Sequence, residues 1–155
     1  MIRKAQKEDI NEIIELLKYV NQIHYELRPD LFRLNSKYNY EELLNLLNNP
    51  SYLIYVYEED IIKGYIIGII KETKTTNLFL EHKSLYIDDL CVKKMEQNKG
   101  IGTLLINYMI EKGKELAVDD ITLNVYQENI NAYNFYLNQG FKVRKIILEK
   151  DLKEK

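Results

Sequence analysis

Two glycines stand between a predicted strand and a predicted helix in the stretch QNKGIG, residues 97–102. The residues before it, 85–92, form an apolar run of strand length, and residues 103–116 carry apolar side chains at helical spacing. A helix that begins directly after a strand points its first backbone N–H groups out of the junction, and with the helix dipole these groups form an anion site. Because glycine has no Cβ, an anion can approach that backbone closely. The junction therefore predicts a site for a phosphate or pyrophosphate.

The local sequence excludes two familiar phosphate motifs. It lacks the Gly-Lys-Ser/Thr of a P-loop and the third glycine of the dinucleotide fingerprint. Lys99 adds a positive charge and Thr103 a hydroxyl. A G-x-G on its own also fits an ordinary turn, so the identity of the anion depends on the rest of the chain.

The order of predicted elements is β-α-α-β-β-β-α-β-α-β. Alternating and apolar runs predict strands at 2–6, 52–60, 61–73, 84–92, 120–127 and 141–150. Helical periodicity predicts helices at 8–25, 39–49, 102–117 and 129–139, the last closed by Gly140. This pattern predicts one α/β domain over residues 1–155, with a mixed sheet and helices on both faces.

Charge and composition exclude several classes of partner. There are 22 Lys and Arg against 24 Asp and Glu, which argues against nucleic acid or an anionic membrane as the main partner. The most apolar stretch, 60–72, is interrupted by Lys63 and is too short to span a bilayer. Residues 1–10 lack the apolar centre of a signal peptide. Cys91 is the single cysteine, so no intrachain disulfide can form and we expect a cytoplasmic protein.

Two motifs together resemble the GNAT superfamily of N-acetyltransferases. That family carries V-x-P-x-x-R/Q-x-x-G-x-G/A after its fourth strand, and the chain reads VKKMEQNKGIG at 92–102. A second family motif matches Asn129, Ala132, Tyr136 and Gly140-Phe141. The element order matches over essentially the whole chain. The departures are Lys94 for the usual proline, Gln97 for the usual arginine and Asn98 for a frequent glycine.

The resemblance implies acetyl-CoA as co-substrate, bound where the fourth and fifth strands diverge. By that match, the backbone of the fourth strand would hold the pantetheine arm, the glycine junction would hold the pyrophosphate, and the last motif would contact the arm from the other side. The residues implied are Leu90, Cys91 and Val92, then Gln97, Asn98, Lys99, Gly100, Ile101, Gly102 and Thr103, and finally Asn129 and Tyr136.

The resemblance also implies direct attack of an amine on the acetyl carbon, with Tyr136 as the acid that protonates the leaving thiolate. A free tyrosine has a pKa near ~10 and a thiol near ~8.5, so full proton transfer is uphill by about 2 kcal/mol. A hydrogen bond or partial transfer in the transition state is enough. The alternative is that Tyr136 is one of 13 tyrosines with only a packing role on its helix.

An amine with a pKa near ~10.4 must lose a proton before it attacks, at a cost of ~4.6 kcal/mol at pH 7. Asp88 and Asp89 interrupt an apolar strand and are the candidate acceptors. Because side chains alternate along a strand, we expect only one of them to face the cleft. Asp88 matches an acidic residue of the similar polyamine acetyltransferases. We therefore expect Asp88 to act through water or to bind a cationic substrate, the alternative being a solvent-facing or loop-capping role.

Other polar residues receive lesser roles. His24 precedes a region that walls the acceptor site in many GNAT proteins, and we expect it with Asp88 and Asp89 to line that site, although packing is its commoner role. Cys91 has no partner base, which is typical of a buried structural thiol. His24 and His82 lack the spacing of metal ligands, so no metal is expected.

The resemblance implies an acetyl-CoA-dependent N-acetyltransferase acting on a primary amine of a small molecule. A protein or peptide acceptor, at an N-terminus or a lysine, is the alternative within the enzyme class. A non-catalytic acyl-CoA sensor is the alternative outside it. Neither nucleic acid nor membrane is expected as a partner, and a homodimer, common in the family, stays open.

Overall fold

The computed structural model describes residues 1–153, which fall into two compact units, one over Met1–Asn124 and one from Val125 onward. Residues 154–155 of the predicted domain lie outside the described part. The first unit contains β1 (Ile2–Lys4), α1 (Ile10–Leu27), α2 (Tyr40–Leu47), β2 (Tyr52–Glu59), β3 (Ile61–Thr73), β4 (His82–Val92), α3 (Ile101–Glu115) and β5 (Asp120–Leu123). The second unit contains α4 (Ile130–Asn138). This order follows the predicted one as far as α4.

The five strands form one mixed sheet in the order β1-β2-β3-β4-β5. Each of the first three strands pairs antiparallel with the next, whereas β4 and β5 are parallel. The parallel pair is short, because it runs only from Ser84 opposite Asp120 to Ile87 opposite Leu123. The α/β class and the mixed sheet predicted from the sequence are confirmed.

The first helix layer covers one face of the sheet. Ile10, Ile13 and Leu17 of α1 repeat at helical spacing and are at most 1% exposed, so this stripe faces the core. Leu43 of α2 joins them, and the helix begins with a capping box in which Asn39 accepts from the N–H of Glu42. The strand residues of this core include Ile54, Val56, Tyr65, Ile67 and Cys91.

The third helix covers the opposite face. Leu105 and Met109 of α3 are fully buried, and a Cβ built on Gly68 of β3 would lie 2.9–3.1 Å from side-chain atoms of Leu85 and Met109. Gly68 therefore lets α3 approach the sheet closely. Helices on both faces, as predicted, are confirmed. Within residues 1–153, none of the helices has the length and apolar character that crossing a bilayer requires.

Two predictions near the C-terminal end are wrong. The strand expected at 120–127 ends at Leu123, and the strand expected at 141–150 is not formed in the described residues. Apolar side chains in the latter segment are exposed, with Leu148 at 90%. A β-rich sequence gives a strand only where a neighbouring strand supplies hydrogen-bond partners, and composition does not report that partner.

Candidate active site

A β-bulge in β4 brings the two candidate carboxylates to the same face of the sheet. Ile67 of β3 pairs with Asp89, but the next β3 residue, Gly68, pairs with Ile87, so Asp88 is an extra residue in the ladder. Asp89 lies opposite Ile67 and so faces the α1 and α2 layer. Asp88 reaches the same layer, where it contacts Tyr38. The alternation expected for the two aspartates is not observed, because the bulge breaks it; which of them faces the cleft stays a prediction.

Asp88 is held by the loop that precedes α2. Its Oδ2 accepts a hydrogen bond from the Tyr38 hydroxyl at 2.6 Å, and its Oδ1 lies 2.9 Å from the Lys37 ammonium. Burial and this carboxylate raise the pKa of Tyr38 well above its ordinary value. Since both oxygens of Asp88 are engaged and its side chain is only 9% exposed, Asp88 anchors the loop to β4.

Asp89 is the second carboxylate of the bulge. Burial raises its pKa to about 6, in spite of the opposing influence of Lys37. Its Oδ1 accepts the backbone N–H of Leu90 at 2.9 Å. Tyr65 of β3 lies nearby and is 0% exposed. Its hydroxyl makes no hydrogen bond among the described residues, yet it is close enough to Asp89 to favour the charged carboxylate.

The β5-facing edge of β4 is uncovered beyond Ile87. Pairing with β5 stops at Ile87 and Leu123, while β4 continues to Val92. Among the described strands, none pairs with this edge from Asp88 to Val92. An extended ligand can add to such an edge through main-chain hydrogen bonds, as a further strand would. β4 therefore continues past the end of its pairing with β5, and the family resemblance places the pantetheine arm along this unpaired part.

The backbone of β4 presents alternate residues to this free edge. The N–H of Lys93 donates to Lys63, so it points toward β3, and by alternation the backbone of Cys91 does the same. A Cβ on Gly64 of β3 would lie 2.8 Å from the carbonyl oxygen of Cys91, in agreement with that direction. Leu90 and Val92 then face the free edge, and Cys91 drops out of the predicted set of backbone contacts.

A left-handed turn leads from β4 into α3. Asn98 and Gly100 have φ of 65° and 84°, and Gly100 is the N-terminal cap. The first helical bond runs from the N–H of Leu104 to Gly100, so the N–H groups of residues 101–103 precede the helical ladder. The first turn contains no acidic residue. This geometry suits an anion such as a pyrophosphate.

Two side chains of the same turn make internal contacts. The Lys99 ammonium lies 3.0 Å from a carboxylate oxygen of Glu96, which balances part of its charge. The Gln97 side-chain amide donates to the carbonyl of Val92 at 3.1 Å and so ties the turn to the end of β4. The anion-binding capacity of the turn therefore rests mainly on backbone N–H groups.

Asn129 and Tyr136 belong to the second unit. Asn129 is the residue before α4, and Tyr136 lies on that helix with its ring edge-to-face against Phe135 and Phe141, at centroid distances of 5.2 and 5.8 Å. Gly140 has φ of 93°, which closes the helix as predicted. The cofactor contact of Asn129 and the acid role of Tyr136 stay predictions.

His24 and Cys91 are packed into the first unit. The His24 ring stacks on Phe32 at a centroid distance of 5.1 Å, and burial, with a smaller effect of Lys37, lowers its pKa. Its substrate-binding role stays a prediction. Cys91 is 5% exposed and burial raises its pKa, so the thiol is buried as predicted. Within residues 1–153, no group of three or more His, Cys, Asp or Glu side chains is arranged to hold a metal.

Three residues near the two aspartates are not indicated by any local pattern in the sequence. Lys37 and Tyr38 lie in an irregular loop about 50 positions before Asp88, and nothing in the local pattern announces their contact with it. Tyr65 lies in a run of apolar strand residues where alternation indicates only burial. An interrupting Asp-Asp pair in an apolar strand was the single signal that could have suggested a bulge.

Parts of the chain are similar to acetyltransferases of known name. The chain is 37% identical over 78 residues to N-alpha-acetyltransferase 30 of Dictyostelium discoideum, and 33% identical over 67 residues to L-ornithine N5-acetyltransferase NATA1 of Arabidopsis thaliana. These matches span 50% and 43% of this chain, and only 41% and 29% of the two relatives.

One solved structure is similar over nearly the whole chain. It is a tetramutant of the BH1408 protein from Bacillus halodurans, with a TM-score of 0.94, 30% identity, and coverage of 98% of this chain and 99% of that one. Residues 20–141 match the family model described as acetyltransferase (GNAT) family, which takes in the β4 bulge, the left-handed turn and α4. The chain therefore belongs to the acetyltransferase (GNAT) family.

Proposed function

We propose that this protein is an acetyl-CoA-dependent N-acetyltransferase that acts on a primary amine of a small molecule. The observation that carries the proposal is that β4 continues to Val92 after its pairing with β5 has ended at Ile87. It leaves the backbone of Leu90 and Val92 at a free edge, beside the Asp88–Asp89 bulge and directly before the Gly100 turn. Membership of the GNAT family supports acetyl transfer as the reaction class.

The residues of the first unit fit acetyl-CoA in two places. Leu90 and Val92 direct backbone groups toward an extended amide-containing arm, although the N–H of Leu90 is engaged with Asp89 and the carbonyl of Val92 with Gln97. The first turn of α3 offers backbone N–H groups to a pyrophosphate. Acetyl-CoA would supply an activated thioester whose acetyl group an amine can take. The free edge and the turn follow each other along the chain, as the two parts of that molecule require.

We assign the proton acceptor to Asp89 rather than to Asp88. Asp88 is paired with Lys37 and Tyr38, so it is poorly placed to receive a proton from a substrate. Asp89 has a pKa raised by burial to about 6, close to the value at which a general base works best near neutral pH. Tyr136 is proposed to give a proton to the departing thiolate.

A small acceptor is favoured by how the α1–α2 loop is held. Lys37 and Tyr38 fasten this loop to β4 beside Asp89, which narrows the approach from that side. The similarity to an ornithine acetyltransferase agrees with a small amine.

A peptide N-terminus is the second candidate acceptor, because the chain is also similar to N-alpha-acetyltransferase 30. A panel of polyamines, basic amino acids and short peptides, assayed by release of free thiol from acetyl-CoA, separates the two. The proposal predicts release with a small amine, whereas release with peptides alone would overturn the small-molecule assignment. Acetyl-CoA binding with no acceptor-dependent release would support the sensor alternative.

Tyr136→Phe tests the acid role in the same assay. We expect kcat to fall by about 10²-fold, since the variant keeps the ring and loses the proton donor. Tyr133→Phe on the same helix is the matched control, because both side chains are half-buried. Equal activity of Tyr136→Phe and the control would remove Tyr136 from the mechanism.

A further inference from the structure

The carboxylate of Asp89 lies near two donors, and only the N–H of Leu90 makes a hydrogen bond of good geometry to it. It accepts the N–H of Leu90 at 2.9 Å, while the fully buried hydroxyl of Tyr65 beside it has no hydrogen-bond partner in the described residues. Buried hydroxyl groups are nearly always paired in native proteins. An unpaired one next to a carboxylate therefore marks a second position for that carboxylate.

The N–H of Leu90, which donates to Asp89, is a group that the arm of acetyl-CoA would need for its own hydrogen bond. The backbone of Leu90 points to the free edge of β4, since Lys93 and, by alternation, Cys91 point toward β3. Asp89 thus occupies a main-chain donor of the proposed cofactor groove. A ligand strand on this edge and the present position of Asp89 compete for the same hydrogen.

We propose, on the basis of the function proposed above, that acetyl-CoA takes the N–H of Leu90 and that Asp89 then turns to the hydroxyl of Tyr65. Tyr65 is a positioning residue in this account, because it holds the carboxylate that receives the proton and does not itself meet the acceptor. Cofactor binding and the placement of the base become one event, so the base is set only when the cofactor arm occupies the edge of β4.

The chemical step balances without another reactant. The protonated amine gives one proton to the Asp89 carboxylate, and the neutral amine forms a bond to the acetyl carbon while the carbon–sulfur bond breaks. The thiolate is protonated by the second proton of the nitrogen, relayed through the acid assigned to Tyr136. Asp89 then releases its proton to water.

A double-mutant cycle on acetyl-CoA binding tests the exchange. In Tyr65→Phe, Asp89 loses its alternative donor and keeps competing for the N–H of Leu90, so we expect the Kd of acetyl-CoA to rise about 10-fold, as for one hydrogen bond to a charged group. In an Asp89→Ala background the competitor is gone, and Tyr65→Phe should then change the Kd by less than about 2-fold. Binding is measured by calorimetry and needs no acceptor.

A control and a second readout separate positioning from structure. Tyr55→Phe removes a hydroxyl from a tyrosine that packs against Tyr108 of α3, and we expect it to leave the Kd unchanged. The apo form of Tyr65→Phe should melt no lower than the wild type, because the hydroxyl it loses is unpaired.

The pH profile of kcat gives the sign of the effect. The charged and titratable groups around Asp89 are Lys37, Asp88, Tyr38, Tyr65, Tyr86 and Cys91. Loss of the Tyr65 hydrogen bond should move the acidic limb to higher pH, since that bond favours the charged carboxylate.

The outcomes that would overturn the inference are distinct. An unchanged Kd in Tyr65→Phe, or an equal weakening in the Asp89→Ala background, removes the partner exchange and leaves the proposed function intact. A wild-type protein that does not bind acetyl-CoA removes both.

Discussion

The hydroxyl of Tyr38 lies 2.6 Å from Oδ2 of Asp88, although the two residues are 50 positions apart in the chain. Lys37 engages the other carboxylate oxygen at 2.9 Å. Together these contacts fasten the α1–α2 loop to the bulge of β4. Asp88, the acid expected from the sequence to act on the substrate, is thus held on both oxygens, and its role toward the substrate stays a prediction.

The first prediction concerns this fastening. Tyr38→Phe should raise the acceptor KM about 10-fold, because a hydrogen bond to a charged group that holds the loop is lost. The Kd of acetyl-CoA should stay within about 2-fold, since the free edge of β4 is untouched. Tyr40→Phe, two residues on, is the control. Steady-state kinetics with a reactive acceptor give the answer, and a fall in kcat with unchanged KM would contradict the account.

The second prediction concerns the stability cost of Asp89. Its pKa rises from 3.8 unfolded to about 6 folded, so folding favours the protonated form and the wild type loses stability as pH rises through this window. The cost is complete above pH 6 and at most ~3 kcal/mol. Asp89→Asn should therefore be more stable than the wild type by about 1–3 kcal/mol at pH 8, and by less at pH 5. Urea unfolding at the two pH values measures this, and a variant less stable at pH 8 would refute it.

The third prediction concerns the buried pair of Arg3 and Asp9. Arg3 binds both oxygens of Asp9, at 2.7 and 3.0 Å, and Asp9 is 5% exposed. Arg3→Met leaves the buried carboxylate of Asp9 without its charged partner. The variant should lose about 3–5 kcal/mol of unfolding free energy. Lys18→Met breaks the exposed pair with Glu15 and should cost less than about 1 kcal/mol.

Urea unfolding of wild type and Arg3→Met at several pH values measures this loss of stability, and the loss should depend on pH in a defined direction. Burial alone would raise the pKa of Asp9, but hydrogen bonds from Arg3 and from the N–H of Gln6 lower it. The pair therefore stabilises the fold above the ordinary pKa of 3.8 and loses its effect as pH falls below that value. The difference in unfolding free energy between wild type and Arg3→Met should become smaller below that pH. A difference that is constant with pH would show that the Arg3–Asp9 pair is not the source of the stability.

The fourth prediction uses two glycines with the same backbone strain. Gly100 and Gly140 have φ of 84° and 93°, and a Cβ at either position would meet open space. Alanine at each should cost about 1–2 kcal/mol of stability, because the left-handed conformation is unfavourable for a residue with a side chain. Gly100→Ala alone should also weaken acetyl-CoA binding, by about 10-fold or more, since it disturbs the turn before α3. Equal affinity in the two variants would show that the turn holds no phosphate.

The fifth prediction concerns Cys91. The thiol is 5% exposed and its pKa is raised by burial, so little thiolate is present at neutral pH. A thiol reagent should leave the folded protein unmodified and label one cysteine in urea. Rapid labelling of the folded protein would contradict the buried role, and would also complicate the thiol-release assay.

The helices, most strands and the order of elements can be predicted from the sequence, because they depend on local patterns. Apolar spacing identifies α1 and α3, Gly140 ends α4, and the order of elements indicates a mixed sheet. The bulge at Asp88 and the contacts of Lys37 and Tyr38 depend instead on which distant residues meet. A strand pattern at 141–150 likewise does not report whether a partner strand exists. Long-range register and side-chain pairing were the features that the linear pattern could not supply.

The role of Tyr65 illustrates the same limit. As a sequence letter it is one tyrosine among 13, in a strand whose neighbours are isoleucines and glycines. Its importance appears only from the coincidence of full burial, an unpaired hydroxyl and a neighbouring carboxylate. A physical criterion of this kind, an unsatisfied polar atom in a packed core, selects residues that spacing and composition pass over.

The most direct test of the account is a calorimetric titration of the wild-type protein with acetyl-CoA. The free edge at Leu90 and Val92 and the turn at Gly100 predict one molecule bound per chain, with an affinity in the micromolar range or tighter. Saturable binding at that stoichiometry, weakened in Gly100→Ala and kept in Gly140→Ala, is the expected result. The absence of measurable binding at millimolar acetyl-CoA would contradict the central claim, because neither the unpaired edge of β4 nor the left-handed turn would then bind a cofactor.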